Sequence, residues 1–369
     1  MSKPEQVRII VAGGGSGGHV FPAIAIANAI KKQIPSAQIL FVGAKGRMEM
    51  TQVPLAGYDI IGLNIAGIQR RLTWKNLLVP FKLMDSIIKA KNILRRFKPQ
   101  LVIGVGGYAS APMVNQAAQQ GIPVLIQEQN SYPGLTNRML GKKAQKICVA
   151  YEGMERFFDK NKLYLTGNPV RSDVVNLEGK KEQALEYFGL DANKPVLLVT
   201  GGSLGARSIN HAAAANLHRL VQEGIQVIWQ TGSFYYSTAQ MQAQGYEKSV
   251  SVNQFISRMD LAYAAADLIV SRAGAIAISE ICIVQKPAIL VPSPNVAEDH
   301  QTKNAMALVN HHAAILITDS QVEASLGDVV IDLMQNPQKR AQIADKLQTL
   351  AFYDAADKIA AVAISMIND

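Results

Sequence analysis

Short apolar runs alternate along this chain with longer segments whose apolar positions recur at helical spacing. Val7–Ala12, Ile39–Val42, Leu101–Val105, Val124–Ile126 and Lys146–Val149 read as buried strands. Gly13–Gly18 is a glycine loop after the first of them, and Pro22–Gln33 reads as a helix. The pattern then restarts. Pro195–Thr200 is a strand, Gly201–Gly205 a glycine loop and Ala206–Gln222 a helix. Val227–Gln230, Asp267–Val270 and Ala288–Val291 read as further strands. Strands and helices in this alternation predict a doubly wound parallel α/β sheet. Two strand–loop–helix openings about 190 residues apart predict two Rossmann-like domains. A chain of 369 residues has room for both. The seam is expected near Gly167-Asn168-Pro169, where turn-forming residues cluster. Asp354–Ile367 is an alanine-rich amphipathic helix, free on sequence grounds to pack on either domain.

The glycine loops carry the first chemistry. Gly13, Gly15 and Gly18 have the spacing of a dinucleotide fingerprint, in which backbone amides at a helix N-terminus approach an anion. That fingerprint also needs an acid at the end of the second strand, and Phe41-Val42-Gly43-Ala44-Lys45 has none. Without a Gly-Lys-Ser/Thr ending it is not a P-loop either. The loop therefore fits phosphate binding or a bare strand–helix turn. His19 follows it directly. A helix N-terminus disfavours imidazolium, so a neutral, proton-accepting His19 and a merely packed one both fit.

In the second half, Gly201–Arg207 repeats the first loop, and Arg272–Glu280 opens another helix near Gly274. Amides there suit a diphosphate. Glu280, about one and a half turns in, suits either a ribose diol or an ordinary helix surface. Gln301 and Asn304 are three apart and share a helix face. Their amides can bond sugar hydroxyls or simply decorate a helix start.

Several classes are set aside. At 49% hydrophobic residues the chain is not disordered. Cys148 and Cys282 cannot build a disulfide framework, which suits a reducing compartment. The polar start Met1–Gln6 is not a signal peptide, and no apolar run reaches the 18 residues of a membrane-spanning helix. No Asp-x-Asp pair, no metal-ligand spacing of His or Cys and no Gly-x-Ser-x-Gly elbow occurs, so no metal or cofactor is expected.

Charge is unevenly placed. Residues 1–165 hold 22 basic against 8 acidic side chains, while 166–369 hold 15 against 20. The basic part could face nucleic acid, an anionic membrane or a phosphorylated substrate. Nine cations lie between Gly67 and Pro99: Arg70, Arg71, Lys75, Lys82, Lys89, Lys91, Arg95, Arg96 and Lys98, with Asp85 the only acid. A helix from Pro80 to Phe97 would bury Leu83, Ile87, Ala90, Leu94 and Phe97 on one face. Phe81, Met84 and Ile88 would fall opposite, edged by Lys91 and Arg95, with Trp74, Leu77 and Leu78 extending the stripe. A cation-edged apolar stripe suits an interfacial membrane patch. Nucleic acid is disfavoured because stacking aromatics are not interleaved with the cations.

Taken in order, Gly13–His19, Gly106-Gly107-Tyr108, Glu128-Gln129-Asn130, Gly167–Arg171, Gly201–Arg207, Arg272–Glu280 and His300–Asn304 resemble the MurG family of bacterial glycosyltransferases, nearly end to end. The resemblance implies a GT-B fold, with two Rossmann-like domains whose parallel sheets face each other across a cleft. It implies an acceptor- and membrane-binding domain at 1–167, on which a C-terminal helix at about 352–369 could pack back, and a UDP-N-acetylglucosamine-binding domain at 168–351. The implied reaction is an inverting transfer of N-acetylglucosamine to the C4 hydroxyl of an undecaprenyl-linked diphospho-N-acetylmuramyl pentapeptide. It belongs to peptidoglycan synthesis, hence to cell shape and division, with cell-wall synthesis proteins as further partners. The implied location is peripheral, on the anionic cytoplasmic face of the inner membrane.

Residue by residue, the first loop with Ser16, Gly17 and Gly18 matches the acceptor diphosphate site. Phe255-Ile256 matches the uracil-contacting stretch. Ser203 and the turn at Ala275-Ile276 match diphosphate contacts, with Ala277, Ile278 and Ser279 as further substrate-binding positions. Glu280 matches the ribose carboxylate, Gln301 and Asn304 the sugar amides, and Asn130 and Arg171 further donor contacts. His19 is the first choice for the base and Glu128 the second, with Tyr108 and Asn130 positioning the acceptor. This chain departs from the family at Ser16 (commonly Thr), Ala273 (frequently Ser) and His300 (Gln in some members). Rival readings are a UDP-sugar 2-epimerase, another GT-B transferase, and a non-catalytic nucleotide-sugar-binding regulator.

Overall fold

The computed structural model describes residues 6–65 and 79–368. It divides into two units. One comprises the described residues up to Arg171 together with Asp354 onward; the other is Ser172–Tyr353.

The first unit holds a seven-stranded sheet. Its strands are β1 (Arg8–Ala12), β2 (Gln38–Ala44), β3 (Asp59–Leu63), β4 (Leu101–Gly104), β5 (Val124–Glu128), β6 (Lys146–Val149) and β7 (Leu163–Leu165). Their order is β3-β2-β1-β4-β5-β6-β7, and every pair is parallel. The second unit holds β8 (Val196–Thr200), β9 (Gln226–Gln230), β10 (Val250–Asn253), β11 (Leu268–Ser271), β12 (Ala288–Leu290) and β13 (Ile315–Leu316). Their order is β10-β9-β8-β11-β12-β13, again all parallel. Each sheet is doubly wound. The strand order reverses between β1 and β4 in one and between β8 and β11 in the other. Ligands of such sheets bind beyond the carboxyl ends of the strands at that switch point.

Central strands are apolar on both faces because helices cover both. Ile9 and Val11 of β1 enter one core, Ile10 and Ala12 the other. Four strands escape the apolar-run reading, namely β3, β7, β10 and β13, and all four are sheet edges. An edge is covered on fewer sides, so its residues need not be apolar throughout.

The first helix corrects an expectation. It runs Gly17–Gln33 rather than starting at Pro22, which lies buried inside it. Ser16 is extended (φ −151°, ψ 160°), and its carbonyl accepts from the amides of His19 (3.0 Å) and Val20 (3.1 Å). Helix geometry is therefore already set before Pro22, which forfeits only its own N–H bond. Gly17, Gly18 and His19 become the first turn.

The basic helix runs Val79–Phe97. Ser86, Ala90, Ile93 and Leu94 are buried along it. Leu83, expected in the core, is 42% exposed. It lies on the core side in angle, but among the described side chains burial on the core begins only at Ser86, so the stretch Leu83–Asp85 overhangs. Met84 and Ile88 are 65% and 56% exposed, beside exposed Lys91 and Arg95. Arg70, Arg71, Trp74, Lys75, Leu77 and Leu78 lie outside the described residues, as does the side chain of Phe81. Among the described residues no helix is long and apolar enough to cross a membrane.

The C-terminal helix Ala355–Asn368 belongs to the first unit. Ile359, Ala360 and Ala363 are fully buried in one core cluster with Ile26, Ala27 and Ile30 of the first helix. Burying an isoleucine is worth about 1.5–3 kcal/mol. Lys146 Nζ donates to Ser365 Oγ at 2.8 Å, tying the helix to β6 as well.

Candidate active site

In the first unit the two strands flanking the switch point both lead into glycine turns. The loop after β1 and the Gly106-Gly107 turn after β4 pack directly on each other. A Cβ on Gly107 would collide with the Gly14 carbonyl, and one on Gly106 would lie 2.8 Å and 2.9 Å from His19 Cδ2 and Nε2. The His19 ring is therefore seated on bare backbone. Ser16 Oγ lies 3.1 Å from His19 Nδ1, a hydrogen bond whose direction the imidazole tautomer sets. Tyr108, the next residue after the glycine pair, is exposed.

The end of β5 supplies the third wall. Glu128 is buried and accepts four N–H bonds. Oε1 takes the Asn130 backbone amide (2.9 Å) and side-chain amide (3.1 Å), and Oε2 takes Gly134 N (3.3 Å) and Asn137 Nδ2 (2.9 Å). Burial pushes the Glu128 carboxyl above the ordinary glutamate range, while these bonds pull the other way. Asn137 Nδ2 stands 3.5 Å from the Gly106 Cβ position, so it neighbours the His19 ring. Arg171, half-buried, stacks its guanidinium 5.9 Å from the centre of the Phe21 ring.

The second unit repeats the plan with different parts. The loop after β8 is held from β9. Gln230 Nε2 donates to the Gly202 carbonyl and to Thr200 Oγ1, each at 3.0 Å, and Thr200 Oγ1 accepts from Gly202 N at 3.2 Å. The Gln230 carbonyl accepts from Ile256 N at 2.8 Å. One side chain thus joins the Ser203 loop to the Phe255-Ile256 stretch. Ser203 and Phe255 are exposed and Ile256 is buried.

After β11 the helix Ala275–Val284 starts from Gly274 in extended conformation, so the amides of Ala275, Ile276 and Ala277 open its first turn. Ser279 Oγ turns back to the Ala275 carbonyl at 3.0 Å. Glu280 is not a surface residue. It is buried, and Tyr263 Oη donates to its Oε2 at 2.9 Å. Arg272 bonds the carbonyls of Val291 (3.1 Å) and Pro292 (3.2 Å), which fixes the strand end leading to the next helix. There Ser293 N donates to Gln301 Oε1 at 2.8 Å, and Asn304 is fully buried in the helix His300–Val309. His300 opens that helix, half-buried.

The candidates therefore form two constellations. One gathers Ser16, Gly17, Gly18, His19, Tyr108, Glu128 and Asn130; the other gathers Ser203, Ile256, the 275–280 helix start, Gln301 and Asn304. Four supports escaped the sequence reading: Glu49, Asn137, Gln230 and Tyr263. Glu49 is the most telling. The acid missing from the end of β2 occurs five residues further on, and it folds back beneath the first loop. Among the described residues no cluster of three His, Cys, Asp or Glu side chains could hold a metal ion.

Comparison with known proteins now decides the family. The glycosyltransferase family 28 N-terminal domain matches residues 9–149, and the family 28 C-terminal domain matches 196–359. The UDP-N-acetylglucosamine–N-acetylmuramyl-(pentapeptide) pyrophosphoryl-undecaprenol N-acetylglucosamine transferase of Phocaeicola vulgatus is 54% identical, covering 96% of this chain and 95% of its own. The chain belongs to the MurG family of glycosyltransferases. The enzyme of the same name from Flavobacterium psychrophilum is 50% identical over 99% of both chains. Among solved structures, Acinetobacter baumannii MurG superposes with a TM-score of 0.76 at 28% identity, covering 97% of this chain and 99% of that one. The fold is thus the GT-B pair of parallel α/β domains. A UDP-N-acetylglucosamine 2-epimerase from Neisseria meningitidis has a TM-score of 0.69 at 16% identity over 97% and 99%, a likeness of fold alone.

Proposed function

We propose that this chain carries out the reaction its relatives are named for. It transfers N-acetylglucosamine from UDP-N-acetylglucosamine to the lipid-linked diphospho-N-acetylmuramyl pentapeptide. The observation that carries this is near full-length identity of about half the residues, spanning both domains. The transfer is a direct displacement with inversion. The acceptor C4 oxygen attacks the anomeric carbon, the bond to the diphosphate breaks, and UDP leaves.

The residues take these parts. The second unit holds the donor. Amides at Gly202-Ser203 and at Ala275–Ala277 meet the diphosphate, where charge develops as UDP departs. Glu280 meets the ribose, Ile256 with Phe255 the uracil, and Gln301 and Asn304 the sugar. Gln301 has its carbonyl committed to Ser293, so its NH₂ group is the one turned to a sugar oxygen. Arg171 is a further donor contact. In the first unit the helix start at Ser16–Gly18 meets the acceptor diphosphate. His19 takes the hydroxyl proton, because its ring is held at Nδ1 by Ser16 and seated on Gly106. Glu128, with both oxygens engaged by N–H donors, suits holding Asn130 and Asn137 in place rather than taking that proton. Tyr108 and Asn130 orient the acceptor.

The first unit meets the anionic cytoplasmic face of the membrane through the overhanging helix. Leu83, Met84 and Ile88 enter the interface and Lys91 and Arg95 lie at the headgroups. One assay tests the reaction: UDP release from UDP-N-acetylglucosamine with and without the lipid-linked acceptor. Acceptor-dependent release is expected. Release of free N-acetylmannosamine or binding without turnover would favour an epimerase or a regulator instead.

A further inference from the structure

Glu49 is a carboxylate in an unexpected place. It is 1% exposed, and it lies beneath a loop whose proposed work is to hold an anion. Its Oε2 accepts from Gly15 N at 3.0 Å and its Oε1 from Ala44 N at 2.9 Å. Gly14 and Gly15 have φ of +145° and +92°, so the turn above it is in the region that favours glycine. A Cβ on Gly14 would collide with the Glu49 carboxylate, and one on Gly43 would sit 2.5 Å from its Cγ. On its other side the same turn is pressed against Gly107.

The turn is therefore clamped between Glu49 and the Gly106-Gly107 turn. Two supports of the His19 ring hang from that clamp. Ser16, which meets His19 Nδ1, is the residue after Gly15. Gly106, on which the ring is seated, precedes Gly107. We propose that Glu49 is a positioning residue for the His19 imidazole, acting through the Gly14-Gly15 turn rather than on substrate. This rests on the reading of His19 as the base. A carboxylate suits the task because it accepts two amides at once from opposite directions. A glutamine keeps one acceptor and turns an N–H₂ toward the other amide.

The test uses the full-length chain with UDP-N-acetylglucosamine and the lipid-linked acceptor. Glu49→Gln is expected to lower kcat by roughly 10- to 100-fold, since small misplacements of a reacting group cost that much. KM for the donor should stay within about twofold, because the donor loops lie in the other unit. In a His19→Ala background Glu49→Gln should cost almost nothing more. Histidine NMR should show an altered titration midpoint for His19 in Glu49→Gln. Wild-type kcat in a folded Glu49→Gln overturns the proposal, and so does a full additional loss in the His19→Ala background. If His19→Ala is itself active, the base assignment fails separately, and an unchanged His19 titration in Glu49→Gln then overturns the positioning link. Should Glu49→Gln not fold, Glu49→Asp, which keeps the charge and withdraws it by one methylene, gives the same readouts.

Discussion

The two glycine loops differ most in what lies beneath them. Both follow the first strand of a doubly wound sheet, both border the switch point, and both open a helix. The first is underpinned by the Glu49 carboxylate through Gly15. The second is underpinned by neutral groups, Gln230 and Thr200. Backbone topology thus sets where an anion can sit, and the support sets the field it feels. A buried carboxylate offsets part of the positive potential of a helix start. The neutrally supported loop keeps all of it. On the proposed reading that loop meets the departing UDP, where negative charge grows during the reaction. On the same reading the carboxylate-supported loop also sets the place of the His19 ring, where orientation counts as well as field.

Four experiments press on that contrast. His19→Ala should lower kcat by roughly 10²- to 10⁴-fold with little change in donor KM, because general-base catalysis is worth that much. Steady-state kinetics with varied donor and acceptor check it, and a change confined to donor KM would reverse the roles of the two units. Charge reversal of Lys82, Lys91 and Arg95 should weaken binding to anionic vesicles at least about a hundredfold, since losing three cations at about 1 kcal/mol each near the surface accounts for that much and the new anions add repulsion. Sedimentation with vesicles measures this, and unchanged binding removes the overhanging helix from the membrane account.

Gln230→Glu gives the second loop a charged support like the first. Donor KM should rise about tenfold, since a donated bond to the Gly202 carbonyl becomes a repulsion. The defect should shrink as pH falls and the new carboxyl regains a proton to donate. A pH-independent defect would point to packing instead. The smallest effect concerns stability of the second unit. Arg258 beside Asp260, aided by Lys180, holds that carboxyl well below the ordinary aspartate range. A depressed folded-state pKa means that its stabilisation is present above the unfolded-state value and is lost as pH falls through the folded one. Asp260→Asn should lower the thermal midpoint by a few degrees at neutral pH. The difference from wild type should vanish only in strongly acidic solution, as calorimetry across pH would show.

The contrast between the loops was half visible in the sequence. Both loops and both following helices stand out because φ-permissive glycines and central apolar runs are local signals. The four edge strands do not, because a half-covered strand such as Val250–Asn253 carries no continuous apolar run. The motif residues of the candidate site stand out in the sequence, but their partners do not. For Glu280 the spacing left a ribose contact and a helix surface both open, and its buried bond to Tyr263, seventeen positions earlier, is not legible in the sequence. Glu49 and Gln230 were invisible for the same reason. A supporting residue is chosen by what the fold brings above it, and nothing in its own neighbourhood of sequence announces that. The first helix starts five residues before Pro22, because Ser16 has already set its geometry, and the glycines of that turn carry no helical signal of their own.

The return of the chain to its first unit at Asp354 has a consequence for biosynthesis. On a ribosome the amino-terminal part of the first unit precedes the second unit, yet the side of its sheet carrying Ile26, Ala27 and Ile30 lacks Ile359, Ala360 and Ala363 until the whole second unit has been made. The inserted second unit has its whole sequence available before then. The unit begun first is therefore the last that can be completed, and through that interval it carries an unsealed apolar face. A premature stop near Tyr353 would leave the second unit with all its strands and strip the first unit of one of its walls.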